Sequence, residues 1–511
     1  MTRASDVANI LKQPFTNTLG TSNYRAGTNA GDSITSGGNY NVTIGDEAGT
    51  ALTTGDNNTA VGYLALSTAT TASDNTAIGR RALRDNTSGY NNVSVGVNSS
   101  MVNTEGNTNT AVGTSSLSAN TTGSSNVAVG DSALLSNTTA SNNTAVGKSS
   151  MSAMIDGATN TALGRSALSD DTKGSKSTAV GYQALSTQNF TSATDTHNTA
   201  VGYNAGSLIT TGQYNTIMGG LAGDALTDAD YNTYIGYNAG GADDLGSYNV
   251  AVGAGALSTQ NYTGATNGQN VAVGYNALQD LTTAVQNTAI GNHAGGGITT
   301  GSYNVCIGNA AGDHENNLTT GGPNIIIGAY ADTSASGSTH QIVMGYNVTG
   351  NADNSFCFGN TGTDSAIAFG ATSITAPSDE RYKEEIETST AGLSFINDLR
   401  PVTFKWKKEK DIPSDHKSFV ADSDKRVMER GDKVQHGFIA QEVKKVIDDH
   451  SEIKDGFEMW SADPNDGRQR LAPSELIPML VKSIQELSTR LNSQETNIND
   501  LQKRVTALEG S

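Results

Sequence analysis

Glycine returns at a fixed interval along most of this chain, and no other feature narrows the fold as far. From Asn41 a motif Asn-(Thr/Val)-X-aliphatic-Gly recurs, as in Asn58-Thr59-Ala60-Val61-Gly62, Asn75-Thr76-Ala77-Ile78-Gly79 and Asn287-Thr288-Ala289-Ile290-Gly291. Its glycines stand at 45, 62, 79, 96, 113, 130, 147, 164 and 181, then at 202, 219, 236, 253, 274, 291, 308, 328 and 345. Eight consecutive intervals are 17 residues, and the exceptions are 21, 21 and 20. So short a period means one small unit stacked on itself, a solenoid.

Each unit can be read locally. In Thr59-Ala60-Val61 the alternation places Thr59 and Val61 on one face and Ala60 on the other, as in a strand, and Gly62 then turns the chain. An apolar pair follows, as in Ala65-Leu66, Ala82-Leu83 and Ala133-Leu134. The unit therefore reads as one turn of a narrow β-coil with two short strands. Asparagine stands four residues before the glycine in 16 of the first 17 units, Ser177 being the exception. Coils about 4.8 Å apart would line these amides into a ladder, each donating to the next, and roughly 18 coils give a rod on the order of 85 Å long. Such a coil buries little apolar surface by itself, and small residues such as Ala60 and Thr59 suit close approach, so three chains side by side or intertwined are expected.

The long intervals are insertions at turns. Two are near copies, 184–191 and 256–263, and the third contains Asp313, His314 and Glu315. Loops on a rigid scaffold are where binding concentrates. Phe190 and Tyr262 are therefore candidate receptor contacts that would stack on a sugar, against the alternative that each ring covers the base of its own loop.

Composition alone, with 35% hydrophobic residues, 6% aromatics and 58 glycines, would point to disorder, and the period overrides it. The net charge of −19 is −14 before Ser378 (10 Lys+Arg against 24 Asp+Glu) and −5 after it (21 against 26). A sparsely charged acidic rod offers nothing to a phosphate backbone, which argues against nucleic acid. Cys306 and Cys357 sit at strand positions and make no disulfide framework. No apolar run approaches the ~18 residues that span a bilayer, so membrane insertion is not expected. The apolar segment at the N-terminus is too short for a signal peptide, so a protein found outside a cell would be released by lysis within a particle. Phosphate-loop and calcium-loop motifs are absent and a narrow rod has no cleft for paired carboxylates, so neither cofactor nor metal is expected.

The order of segments is then 1–35 as an N-terminal anchor, with a short helix Ala4 to Leu11 capped by Ser5; 36–346 as shaft; 347–377 as its distal end, thickened by Phe356, Phe358 and Phe369. After the junction charges, prolines, Trp406 and Trp460 appear. Ile477, Leu480, Ile484, Leu487, Leu491, Gln494, Ile498, Leu501, Val505 and Leu508 alternate steps of three and four, a coiled coil within 474–511. β-Branched residues at most first heptad positions with leucine at the fourth favour two strands when taken alone.

Four blocks in this second part, SDERYKEEI from Ser378, LRPVTFKWK from Leu399, HGFIAQEV from His436 and SELIPMLVKSIQEL from Ser474, resemble the C-terminal intramolecular chaperone of phage tail fibres, tail spikes and endosialidases. The resemblance implies a domain, 378–473, that trimerises, helps the preceding β-stalk fold and then cuts itself off before its serine. Carried over, the cut falls between Pro377 and Ser378, with Ser378 as nucleophile and Lys383 as base. By spacing alone, a serine followed by Asp379 and Glu380 reads as a helix N-cap. Asp379 and Glu380 are candidates for shaping the cleavage turn, and His436 for orienting the site. The shaft repeat is similar to the head repeats of trimeric autotransporter adhesins. The expected fold is mainly β: an elongated homotrimeric β-solenoid of 17-residue coils, then a mixed α/β chaperone domain ending in a trimeric coiled coil. The function implied is a phage tail fibre, made in the host cytoplasm and carried in the virion, joined to the tail or baseplate by its N-terminus and binding a host cell-surface receptor, a glycan. A bacterial trimeric adhesin and a polysaccharide-degrading tail spike are the alternatives.

Overall fold

A computed structural model describes residues 20–510 except 362, 372–373, 375–379, 381–382, 415, 417, 429–431, 454–456 and 463–467. The chain forms two compact units, Met1–Pro377 and Ser378–Ser511. The helix expected at 4–11 lies outside the described residues.

The first unit is the β-solenoid that the glycine period requires. Its sheet has twenty-one strands, of which only the last, Ser365–Ala368, runs antiparallel to its neighbour. The other twenty are parallel and in register: Thr59 lies beside Thr76, Ala60 beside Ala77 and Val61 beside Ile78, and the equivalent residues of later coils continue the columns. At sheet spacing this stack is about 90 Å long. The first strand, Tyr24–Ala26, pairs with Val42–Ile44 and so falls inside the segment 1–35 assigned above to an anchor. Ala26 holds the place where later units carry a larger apolar residue, which is why the pattern passed over it. At the far end the six-residue strands Gln341–Tyr346 and Ser355–Asn360 stay in parallel register, and the antiparallel strand then closes the sheet edge.

Of the two residues expected to meet a neighbouring chain, Ala60 faces inward and Thr59 outward. The middle residue of each strand points inward, and Ala60, Ala77, Ala111, Ala128 and Ala145 have no exposed surface, while their flanking residues are partly exposed. Ala60 is thus spent on the chain's own core and is unavailable for packing between chains. Nor does the second apolar pair form a strand. Ala65-Leu66 and its equivalents make a turn in which leucine takes a positive φ, 51° at Leu66, 47° at Leu83 and 50° at Leu134. A left-handed leucine costs about 1–2 kcal/mol, and each of these side chains is fully buried, which offsets it. Small inward strand residues leave the space that the leucine fills.

Where glycine takes that left-handed position the filling is exchanged. A Cβ on Gly206 would sit 3.0 Å from both Ile209 and Ile217, the latter replacing the usual inward alanine. A Cβ on Gly240 would enter the ring of Tyr234 at 2.3 Å. Tyr234 is fully buried and its hydroxyl donates to Asp243 at 2.7 Å. Core volume is thereby held nearly constant from coil to coil, as dense packing requires.

The asparagine ladder forms, with a division of labour finer than amide to amide. Asn109 Oδ1 accepts the backbone N–H of Asn126 in the next coil at 2.9 Å, and Asn109 Nδ2 donates to the Gly123 carbonyl at 2.8 Å. The same pair of bonds is made by Asn41, Asn126 and Asn143, all fully buried. A second ladder, Asn86-Asn103-Asn120-Asn137, runs amide to amide at 2.6–2.8 Å.

The two 21-residue insertions each add a two-residue parallel pair, Gly174–Ser175 with Thr194–Asp195 and Gly246–Ser247 with Thr266–Asn267. Under each lies a buried carboxylate. Asp171 accepts from Gln188 at 2.6 Å, and Asp243 from Tyr234 and Gln260 at 2.7 Å each. Burial raises both carboxyls above the ordinary range. Phe190 and Tyr262 belong to this filling. They are 6% and 3% exposed, and the Tyr262 hydroxyl donates to the Ala284 carbonyl at 2.7 Å. The reading of these two rings as sugar-stacking contacts is corrected accordingly: buried, they cover the base of their own loops, as the alternative had it.

Candidate functional site

The second unit is a small mixed domain. Helix Leu393–Asp398, hairpin strands Val402–Phe404 and Gln435–Gly437, helix Ala440–Asp449, strands Trp460–Ala462 and Gln469–Leu471, and helix Leu476–Glu509 follow in order. Phe395, Val443, Ile447, Met459, Leu476 and Met479 form its core. Val443 and Ile447, four apart, give helix 440–449 its inner face, while Lys444 and Asp448 pair on the outside.

Helix Leu393–Asp398 begins at Gly392, whose lack of a side chain leaves the first N–H groups uncapped locally. The cap comes from the long helix: Glu486 Oε2 accepts the Leu393 N–H at 3.0 Å. A Cβ on Gly392 would lie 2.6 Å from Glu486 Oε1, so glycine is what admits the carboxylate. At the other end His450 is gripped by two carboxylates, Nε2 to Asp398 at 2.9 Å and Nδ1 to Glu452 at 2.8 Å, with its ring edge-on to Phe395. Glu452 first, then Asp398, raise the imidazole above its ordinary value of 6.5. A raised folded value means that the clamp's stabilisation is complete below about pH 6.5 and is lost as pH rises through the raised value. Both tryptophans, Trp406 and Trp460, lie in this unit, so their fluorescence reports it alone. Its melting temperature is expected to fall between pH 6 and 8, and His450→Gln to flatten that slope; an unchanged slope in the variant would assign the pH dependence to another group.

The terminal helix carries two apolar faces. Leu476, Met479 and Ser483 turn into the unit's core. Ile477, Leu480, Ile484, Leu487, Leu491, Ile498, Leu501, Val505 and Leu508, the heptad positions, are 44–76% exposed in the single chain. Leucines and isoleucines left in water along a helix of 34 residues mark a surface made for other helices.

Of the candidate cleavage residues, Pro377, Ser378 and Asp379 lie outside the described residues. Glu380 and Lys383 are exposed, and the Lys383 backbone N–H donates to the Glu380 carbonyl at 3.0 Å, closing a turn. His436 stands exposed on the strand Gln435–Gly437, opposite Thr403. A shallow depression of about 230 Å³ between Asp398, Arg400, Glu442 and Asp449 holds none of the candidate residues; Arg400 spans it with a two-pronged ion pair to Glu442. Glu486, His450 and the Arg400–Glu442 pair were missed by sequence reasoning, since partners 93, 52 and 42 residues apart leave no local spacing to read. Both cysteines are free and buried, and among the described residues no helix is long and apolar enough to cross a membrane.

No curated protein and no solved structure matches the chain. Residues 378–452 match the family described as chaperone of endosialidase, so the second unit carries that family's segment from its first residue.

Proposed function

We propose that this chain is a phage tail fibre that assembles as a homotrimer under the guidance of its second unit and is then severed in front of Ser378. One observation carries the reading: a stack of twenty near-identical parallel coils is followed directly by a chaperone-of-endosialidase segment that starts at Ser378, where the two compact units divide. The physical need is plain. Successive coils resemble one another so closely that sliding one chain past its neighbour by a whole coil loses little, and non-local β-pairing is slow. A unit that first gathers three chains through the exposed heptad face of its long helix fixes number and alignment before the stack closes. Removing that unit afterwards leaves the rod without a route back to the unfolded state, a kinetic lock.

In this reading the Ser378 hydroxyl attacks the Pro377 carbonyl while Lys383 takes its proton; the Pro377–Ser378 C–N bond then breaks as Lys383 returns the proton to the leaving Ser378 amine, and water hydrolyses the resulting ester to free the Pro377 carboxylate and the Ser378 hydroxyl. Lysine can serve only where its surroundings favour the neutral amine. The N-terminal residues join the tail or baseplate, and the outer surface of the rod meets a glycan of the host cell. Intact-mass measurement of purified protein is expected to show a break before Ser378, which Ser378→Ala abolishes and Lys383→Ala slows. A wild-type chain that stays whole in the assembled particle overturns the cleavage.

A further inference from the structure

The outward face of the parallel sheet has a composition that its coil does not need. Each strand presents two residues to the outside, and the register aligns them in two columns of twenty. One column runs Ala26, Ile44, Val61, Ile78 and on through Val129, Val201, Met218 and Ile290 to Met344 and Phe358, every member apolar. The other is chiefly threonine and valine, from Tyr24 and Val42 to Ile342 and Phe356. No Asp, Glu, Lys or Arg occupies any of these positions, although the chain carries a net charge of −19 and a solvent-facing strand is where charge is easily placed. Charges do stand just beside the strip, at Asp46, Arg80, Asp131, Lys148 and Arg165, each directly after a motif glycine. The aliphatic members are left substantially in water: Ile78 39%, Leu163 48%, Met218 42%, Ile290 43%.

We propose that this strip is the surface through which copies of the chain pack side by side along the shaft, the sheet faces turned toward one another. The inference rests on the trimer reading and adds which face of the rod is inside. Three arguments select a second copy as the occupant. The strip is about 90 Å long and about 10 Å wide, on the order of 900 Å², which is the area per partner of a stable protein interface and beyond what a monomer ordinarily leaves apolar. Its features repeat at the sheet spacing, so a rod of the same rise is the partner whose side chains mesh at every rung. And the strip offers a sugar only hydroxyls, those of its threonines and of Tyr24, with no charged or amide side chain to orient it, while the exposed heptad face of the terminal helix is built for self-association as well.

The test uses the full-length protein with a single added cysteine, since Cys306 and Cys357 are buried. Val129→Cys places the thiol on the strip, and Thr122→Cys places it on an exposed turn of the preceding coil. Chain number is measured by light scattering, and a short bismaleimide is then applied. A trimer in which Val129→Cys links chains at least about ten times faster than Thr122→Cys supports the proposal, because a facing thiol has an effective concentration near millimolar. A trimer linked faster at Thr122→Cys, or at neither position, overturns this choice of face and leaves the trimer standing. A monomeric protein overturns both.

Discussion

Gly130→Ala is expected to break the shaft locally, at about 4 kcal/mol, and to do so through the backbone alone. Gly130 adopts φ 136°, a region closed to residues with a side chain, and a Cβ there would lie 2.5 Å from the Gly147 carbonyl oxygen of the next coil and 2.6 Å from its carbon. Strain at such an angle is about 1–3 kcal/mol and forced overpacking adds about as much. The clash cannot be relieved by rotating a side chain, because the obstacle is a carbonyl fixed in a turn that is itself a motif glycine. Gly113 meets Gly130 in the same way at 2.4 Å, and Gly147 meets Gly164 at 2.5 Å. The motif glycine is thus invariant along the stack because each one is the floor of the one before. In a linear stack, stability is shared between nearest neighbours, so hydrogen exchange should quicken at residue 130 and Gly147, whose N–H groups donate to Val112 and Val129 at 2.7 Å, and stay slow in distant coils. Gly264→Ala is the control, for a Cβ there meets nothing within 4 Å. Equal protection in the two variants would refute the account.

Asn109→Ala is expected to destabilise the same region by about 2 kcal/mol. The side chain accepts the buried Asn126 N–H and donates to the Gly123 carbonyl; truncation removes the acceptor of that N–H, while the carbonyl keeps the Asn120 amide at 2.9 Å. An unsatisfied buried polar group costs about 1–3 kcal/mol. Thr122→Ala, on an exposed turn away from the strip, should shift stability by no more than about 0.5 kcal/mol. Because a repeat array need not unfold in one step, the comparison is again made by exchange, at the Asn126 amide. Slow exchange there in Asn109→Ala would mean that the ladder is ornamental.

Much of this architecture could be read from the residues, and the omissions have definite causes. The glycine interval gave the stacking, and Thr59-Ala60-Val61 gave a strand with two unlike faces. Which face lies inside was beyond a period-two pattern, since a valine pair looks more like core than an alanine. The answer depends on Leu66, seven residues from Thr59, which occupies the interior from a left-handed turn and leaves room only for a methyl group. The exchange among Gly206, Ile209 and Ile217 was hidden for the same reason: it conserves volume across two coils, and volume has no sequence period. In the second unit Ser378 and Lys383 were singled out by the four family blocks and not by spacing, which favours an ordinary cap. The grip of Asp398 and Glu452 on His450 arises only once two helices pack, so nothing around His450 announces it.

The unbroken register of the coils has an evolutionary corollary. Because most coils offer their successor the same strand, the same amide acceptor and the same glycine floor, an in-frame duplication or loss of one such repeat in the gene would lengthen or shorten the rod while creating no junction that the protein does not already contain. Reach can therefore vary between descendants by recombination within a single reading frame, with point mutation left to adjust what the rod touches.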